Sequence, residues 1–207
     1  MSSILTDELP RLLKFDPDAF ERLWNIHPET FHEIKIHGRM VKTPRWQQAF
    51  MIDYQYTGRV NKALPLPIMI QPVFEWVKTY IDSRLNGLLI NWYDGSLNHY
   101  IGKHRDSTSN MIFGGPIVTI SLGEKRIMRL RPYPKGDTKI DFEVNNGSIL
   151  LIPYETNQVW THEILKSTKN IGKRISLTFD VLNELYSKVR LKENSIESRF
   201  NFFGFYK

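Results

Sequence analysis

The chain has 207 residues, a net charge of +6 from 28 Lys and Arg against 22 Asp and Glu, and no cysteine. Disulfides and zinc–thiolate sites are therefore excluded, leaving His, Asp and Glu as the good metal ligands. The length suits one compact domain, and the basic charge favours polyanionic partners, nucleic acid first.

The opening "MSSILTDELPRLLKF" has acidic residues where a secretory signal needs a positive region, and no apolar run approaches the roughly 18 residues of a membrane span. A soluble, intracellular, monomeric protein with no membrane contact is expected, with nucleus and cytoplasm not distinguished. "DPDAFERLWNI" predicts a short helix with Asp16 as N-cap and Pro17 at the first helical position. "LPIMIQPVFEWVKTYIDSRLNG" predicts a second, with Phe74, Val77 and Ile81 on one stripe and an end at Asn86-Gly87. From residue 88 the texture changes to short runs rich in Ile, Leu, Val, Phe and Thr: "LLINWY", "IVTISLG", "RIMRLRP", "IDFEV", "SILLIP" and "RISLTFDVL". These read as strands separated by Gly, Asn and Pro turns, and "NNGS" at 145–148 as a hairpin turn. Helices followed by about eight strands suggest an α+β domain whose β part is a sandwich or jelly roll. The tail from 190 places five aromatics between 200 and 206. It is read as packing over the N-terminal helices, although its composition also suits single-strand nucleic-acid contacts.

Residues i and i+2 of a strand share a face, so in "IGKHRDST" an extended segment aims His104 and Asp106 at one point. A third ligand is then required, and His162 in "VWTHEI" is the candidate on a later strand. Two histidines and a carboxylate with positions left open form the facial triad of non-haem Fe(II) oxygenases. Taken alone, H-x-D is more often a polar bend than a metal site. Further signals come from "RISLTFD", where Arg174, Ser176, Thr178 and Asp180 share one face opposite Ile175, Leu177 and Phe179, and from "LLINWY", where Asn91 and Tyr93 oppose Ile90 and Trp92. A buried arginine needs an anion, and its fork suits a carboxylate. A solvated outer face is the alternative for both strands.

The order "NWYDG", "IGKHRD", "GSILLIP", "TN", "WTHEI", "KRISLTF" resembles the AlkB family of Fe(II)- and 2-oxoglutarate-dependent dioxygenases. The likeness runs over roughly residues 43 to 182, because "TPRWQQAF", "YQYTG" and "LPLP" resemble the family's nucleotide-recognition region. It implies a jelly-roll (double-stranded β-helix) core at 88–182, buttressed by an N-terminal helical extension at 1–42. A recognition region with its supporting helix would occupy 43–86, and a C-terminal tail 183–207. It implies iron ligands His104, Asp106 and His162, and 2-oxoglutarate contacts from Asn91, Tyr93, Arg174 and Thr178, with O₂ as the other cosubstrate. Substrate contacts would come from Tyr54, Tyr56 and Trp46. The implied activity is oxidative demethylation of N-alkylated bases in nucleic acid, single strands preferred because unstacking costs least there, with release of formaldehyde, succinate and CO₂. His99 is outside this pattern, and His27, His32 and His37 are read as incidental.

Two departures stand out. Ser107 and Thr108 occupy positions where duplex-repair members carry acidic residues, and Asp180 replaces the family's second arginine, six residues after Arg174. Asp180 is expected either to turn toward Lys103 or Arg105 or to lie beyond the pocket at the strand's end. Two alternatives therefore stay open: a nucleic-acid-binding module with weakened turnover, and an oxygenase acting on a protein or small molecule.

Overall fold

The centre of this protein is built from two strands buried on both faces, "LLINWY" and "RISLTFD", each apolar on one face and carrying polar groups on the other. The computed structural model describes residues 4–36, 38–56, 59–167 and 171–184, without the side chains of Ile36, Tyr56 and Arg59. The aromatic tail and His37 lie outside the described residues. The chain opens with β1 (Leu5–Glu8) and α1 (Pro17–Trp24), followed by β2 (Glu33–Ile36), β3 (Arg39–Lys42), β4 (Trp46–Phe50), β5 (Tyr54–Tyr56) and β6 (Arg59–Asn61). After α2 (Gln71–Tyr80) come β7 (Gly87–Asp94), β8 (Ile101–His104), β9 (Ile117–Gly123) and β10 (Arg126–Pro132). β11 (Ile140–Val144), β12 (Ser148–Ile152), α3 (Tyr154–Val159), β13 (Trp160–Ile164) and β14 (Lys173–Asp180) complete it.

Six strands form one sheet in the order β1-β12-β9-β14-β7-β4, and four form another in the order β11-β10-β13-β8, with every pairing antiparallel. This is the expected jelly-roll core. Period 2 divides β7 and β14 between two layers. Ile90 and Trp92, with Ile175, Leu177 and Phe179, pack against Val73, Phe74 and Val77 of α2 and Leu23 and Trp24 of α1. Leu89 and Tyr93 face the second sheet, where Met128, Leu130 and Ile164 meet them. The helices thus cover the outside of the large sheet, and the inter-sheet space is left for polar groups.

Asp16 caps α1 by accepting from the Ala19 N–H at 2.7 Å, with Pro17 at the first helical position, as read from the sequence. α2 stops at Tyr80 rather than at Asn86. Asp82 accepts from both the backbone and the guanidinium of Arg84, and such local side-chain bonding competes with the helix. The Asn145–Ser148 turn forms, with Gly147 at φ 87, but joins no hairpin: β11 pairs with β10 in the small sheet and β12 with β9 and β1 in the large one. The segment 1–42, expected helical, also carries β1 on the sheet edge and the β2–β3 hairpin. No helix among the described residues is long and apolar enough to cross a membrane.

Leu177, fully buried in the middle of β14, pairs with Ile90 on one side and Ile120 on the other. Leu177→Ala is expected to cost about 2–5 kcal/mol, because the surrounding sheet cannot collapse into the space. Equilibrium urea unfolding measures this.

Candidate active site

His104 and His162 sit directly opposite each other in the antiparallel β8–β13 ladder, which brings their rings to 4.3 Å between centroids. Register alone therefore unites two residues 58 positions apart in the numbering. Asp106 follows just beyond the end of β8. Its two carboxylate oxygens lie 3.4 Å from His104 Nε2 and 3.5 Å from His162 Nε2. Ligand atoms of the three residues all fall within 4.8 Å of one another. The Gly102 carbonyl lies 2.8 Å from His104 Nδ1, which places the Nδ1 proton there and turns Nε2 toward Asp106. Asn157 of α3 clamps the backbone of Asp106 on both sides: its Oδ1 accepts from the Asp106 N–H, and its amide donates to the Asp106 carbonyl, each at 3.0 Å. Arg105, the middle residue of H-x-D, turns from the three ligand atoms to the cavity rim, with its guanidinium 3.8 Å from the Tyr133 ring and donating to the Gln158 carbonyl.

The electrostatics suit a cation. Burial would raise the Asp106 carboxyl, but the imidazoles of His162 and His104, and Arg45 farther off, outweigh it and hold the group down to about 2. Burial, helped by His104 and opposed by Asp106, lowers His162 to about 4, so its imidazole is neutral at physiological pH. Two imidazoles and a carboxylate are nitrogen and oxygen donors of the class that suits divalent iron.

A cavity of about 530 Å³ opens on this cluster, and Tyr54, Asn91, Tyr93, Thr119, Ser176 and Thr178 line it. The polar faces of β7 and β14 are therefore buried walls and not solvated ones. Arg174 is 0% exposed. Its Nη2 donates to Ser121 Oγ at 2.8 Å, while Nε and Nη1 are buried with no partner. Burial lowers it to about 10, partly restored by Tyr93, which leaves it charged. Such unmatched donors fit a carboxylate, as a keto-acid cosubstrate would present. Arg45, buried on the cavity wall, donates from Nε to Asn91 Oδ1 at 2.8 Å and fixes that amide.

Not every expected site residue reaches the cavity. Tyr54 does, and the side chain of Tyr56 lies outside the described residues. Trp46 does not. It packs on the outer side of β4 against His27 at 4.1 Å and Phe31 at 5.2 Å between ring centroids, because the strand turns Arg45 and Gln47 inward and Trp46 outward. His99 is a buried structural residue whose Nδ1 accepts from the Asp94 N–H. Asp180 does not turn toward Lys103 or Arg105. It is the last residue of β14, 1% exposed, and both its oxygens lack a hydrogen-bond partner. Burial first, then repulsion from Asp106, pushes its pKa well above the usual carboxylate range, which favours the neutral form. Arg45 and Asn157 were missed as site residues. The first was legible two residues before Gln47, just ahead of β4 and on the same inward side; the second stands in the "TN" that follows "IPYE".

The profile of the 2OG-Fe(II) oxygenase superfamily matches residues 17–179. Over 156 residues the chain is 26% identical to "DNA oxidative demethylase ALKBH2" of Bos taurus and 25% identical to that of Homo sapiens. These matches cover 70% of this chain but only 56% and 59% of the relatives, so the chain spans less than two thirds of the curated proteins it matches. Among solved structures, that of OsALKBH1 aligns with a TM-score of 0.55 at 14% identity, covering 86% of this chain and 97% of the other. A 2OG-Fe(II) oxygenase family oxidoreductase from Burkholderia pseudomallei aligns with a TM-score of 0.52 at 16% identity, covering 86% of each chain. At these identities the structures speak for the fold alone.

Replacing His104, Asp106 or His162 by Ala is expected to abolish stoichiometric Mn(II) binding with the far-ultraviolet circular dichroism unchanged. Parent-like binding by His162→Ala would contradict the cluster. Asp180 gives a pH prediction. Its folded pKa lies above the ordinary 3.8, so stability is greatest below that value and is lost as pH rises through the folded pKa. In metal-free protein Asp180→Asn should match the parent near pH 4 and become the more stable of the two toward pH 8. A gap in urea midpoint that stays constant over this range would mean that Asp180 is not held protonated.

Proposed function

Because the chain belongs to the 2OG-Fe(II) oxygenase superfamily, as an AlkB-like member, we propose that it oxidatively demethylates N-alkylated bases in nucleic acid, with release of formaldehyde, succinate and CO₂. The observation that carries the substrate class is the cavity mouth. Lys42, Lys103 and Arg105 line it, are exposed, and form no ion pair among the described residues. Unpaired cations around a concave opening suit a phosphate backbone. The likeness to two proteins named as DNA oxidative demethylases supports the same reading.

In this reading His104, Asp106 and His162 would hold Fe(II), and Arg174 with Ser121 would seat the far carboxylate of 2-oxoglutarate. Together with O₂, that metal and cosubstrate supply the oxidising equivalent. The protein contributes binding, orientation and exclusion of water. Arg45 fixes Asn91 on the cosubstrate wall, Tyr93 and Thr178 continue that wall, and Leu89, Met128 and Ile164 keep it apolar on the remaining sides. Tyr54 offers a ring on which an unstacked base can lie, and single strands are the preferred substrate because their bases leave the stack most cheaply. Asp180 favours the second reading, a binding module with weakened turnover, because no second arginine stands at that place. Burial that favours the neutral carboxyl nevertheless lessens any repulsion of the cosubstrate.

Incubation with Fe(II), 2-oxoglutarate and a panel of N-methylated single-stranded oligonucleotides should give succinate in proportion to formaldehyde. Succinate without formaldehyde on every oligonucleotide would contradict demethylation. Three phosphate contacts at a slope of about −0.7 each predict roughly a 20-fold loss of single-strand affinity for a fourfold rise in salt. Triple replacement of Lys42, Lys103 and Arg105 by Gln should flatten that dependence, as fluorescence anisotropy would measure.

A further inference from the structure

A second arginine comes from the opposite sheet to the ring of Tyr93, which lines the cavity. Arg174 pairs with Gly123 at the end of β9, and the chain turns there into β10, whose first residue is Arg126. Period 2 places Arg126 on the inward face of β10 with Met128 and Leu130, and it is 4% exposed. Both guanidinium carbons lie close to the Tyr93 ring, Arg174 at 4.9 Å from its centroid and Arg126 at 6.0 Å. Neither arginine has an ion pair among the described residues; the acid nearest in effect to Arg126 is the exposed Glu124. Arg126 Nη2 donates to the carbonyls of His99, at 2.9 Å, and Leu165, while Nη1 is buried without a partner.

Two cations buried near one ring, with Arg126 disfavouring the charge on Arg174, are costly, and an anion between them would offset that cost. Three donors await it: Nε and Nη1 of Arg174 and Nη1 of Arg126. An ionised carboxylate has about four lone-pair sites and can accept all three. We infer that Arg126 and Arg174, one from each sheet, form a two-arginine seat for the far carboxylate of a dicarboxylic keto acid. Arg126 then supplies from β10 the second positive charge that position 180 does not. This rests on the keto-acid reading of the site and adds to it a binding residue and a selectivity: a keto acid with no second carboxylate leaves the seat uncompensated.

The test is a ratio. Calorimetric affinities of anaerobic, Mn(II)-loaded protein are measured for 2-oxoglutarate and for 2-oxobutanoate, which lacks the second carboxylate. The parent should prefer 2-oxoglutarate by at least a hundredfold. Arg126→Met should cut this preference tenfold or more while the affinity for 2-oxobutanoate holds, and Arg126→Lys, which keeps the charge without the fork, should cut it less. If Arg126 only braces the His99 and Leu165 carbonyls, both ligands weaken together and the ratio stays, which overturns the seat. Should Arg126→Met fail to fold, the same ratio in Arg126→Lys decides, an unchanged ratio counting against the seat. A parent that binds no 2-oxoglutarate overturns the keto-acid reading itself and the seat with it, an outcome distinct from a preference that survives the substitutions.

Discussion

A row of polar side chains between two packed sheets is tolerable only where charge or hydrogen bonds meet it, and that constraint organises this protein. The large sheet turns its aliphatic face to the helices, and its other face presents Asn91, Tyr93, Arg174, Ser176 and Asp180 to the interior. Some of that row is satisfied from within: Arg45 holds Asn91, and Ser121 takes one donor of Arg174. The rest is not, and the unmatched donors face the same inter-sheet space that holds the His-Asp-His cluster. Helices on one side and an interior polar site on the other follow from the alternation of two strands, β7 and β14.

The metal cluster depends on the same sheets for its geometry. His104 and His162 meet because β8 and β13 are paired in a register that sets them opposite, and a slip of one residue would send one imidazole to the outer face. Asp106 has no strand partner of its own. Asn157 replaces that ladder with two hydrogen bonds, which makes a six-residue helix the positioning element for a ligand loop.

Much of this was legible in the sequence because period 2 is a strong signal. The core strands from "LLINWY" to "RISLTFD", the H-x-D pair and the later histidine were all readable from spacing. What escaped had physical reasons. β1 and the β2–β3 hairpin are short, mixed in polarity and stabilised by pairing with distant or neighbouring edges rather than by a pattern of their own. Trp46 is aromatic on whichever side it lies, and only its inward neighbours Arg45 and Gln47 reveal that it faces out. Arg126 looks like one more surface cation beside Arg129 and Arg131, which do pair with Asp141 and Glu163, yet its parity with Met128 and Leu130 marks it as interior. Asp180 reads as a charge from the sequence, and burial, then Asp106, shifts it toward the neutral form.

The central claim is that the buried polar row is a seat for a metal and an anionic keto acid, and ligand-linked stability tests it most directly. Thermal unfolding is measured for the parent and Arg174→Ala, metal-free, with Mn(II), and with Mn(II) plus 2-oxoglutarate under nitrogen. A ligand at a hundred times its Kd adds about 2.7 kcal/mol, which for a domain of this size raises Tm by roughly 5–10 °C. The account predicts that rise in the parent on adding 2-oxoglutarate to the Mn(II) form, and its loss in Arg174→Ala with the Mn(II) shift retained. A parent whose Tm does not respond to 2-oxoglutarate, or an Arg174→Ala variant that responds equally, would contradict it.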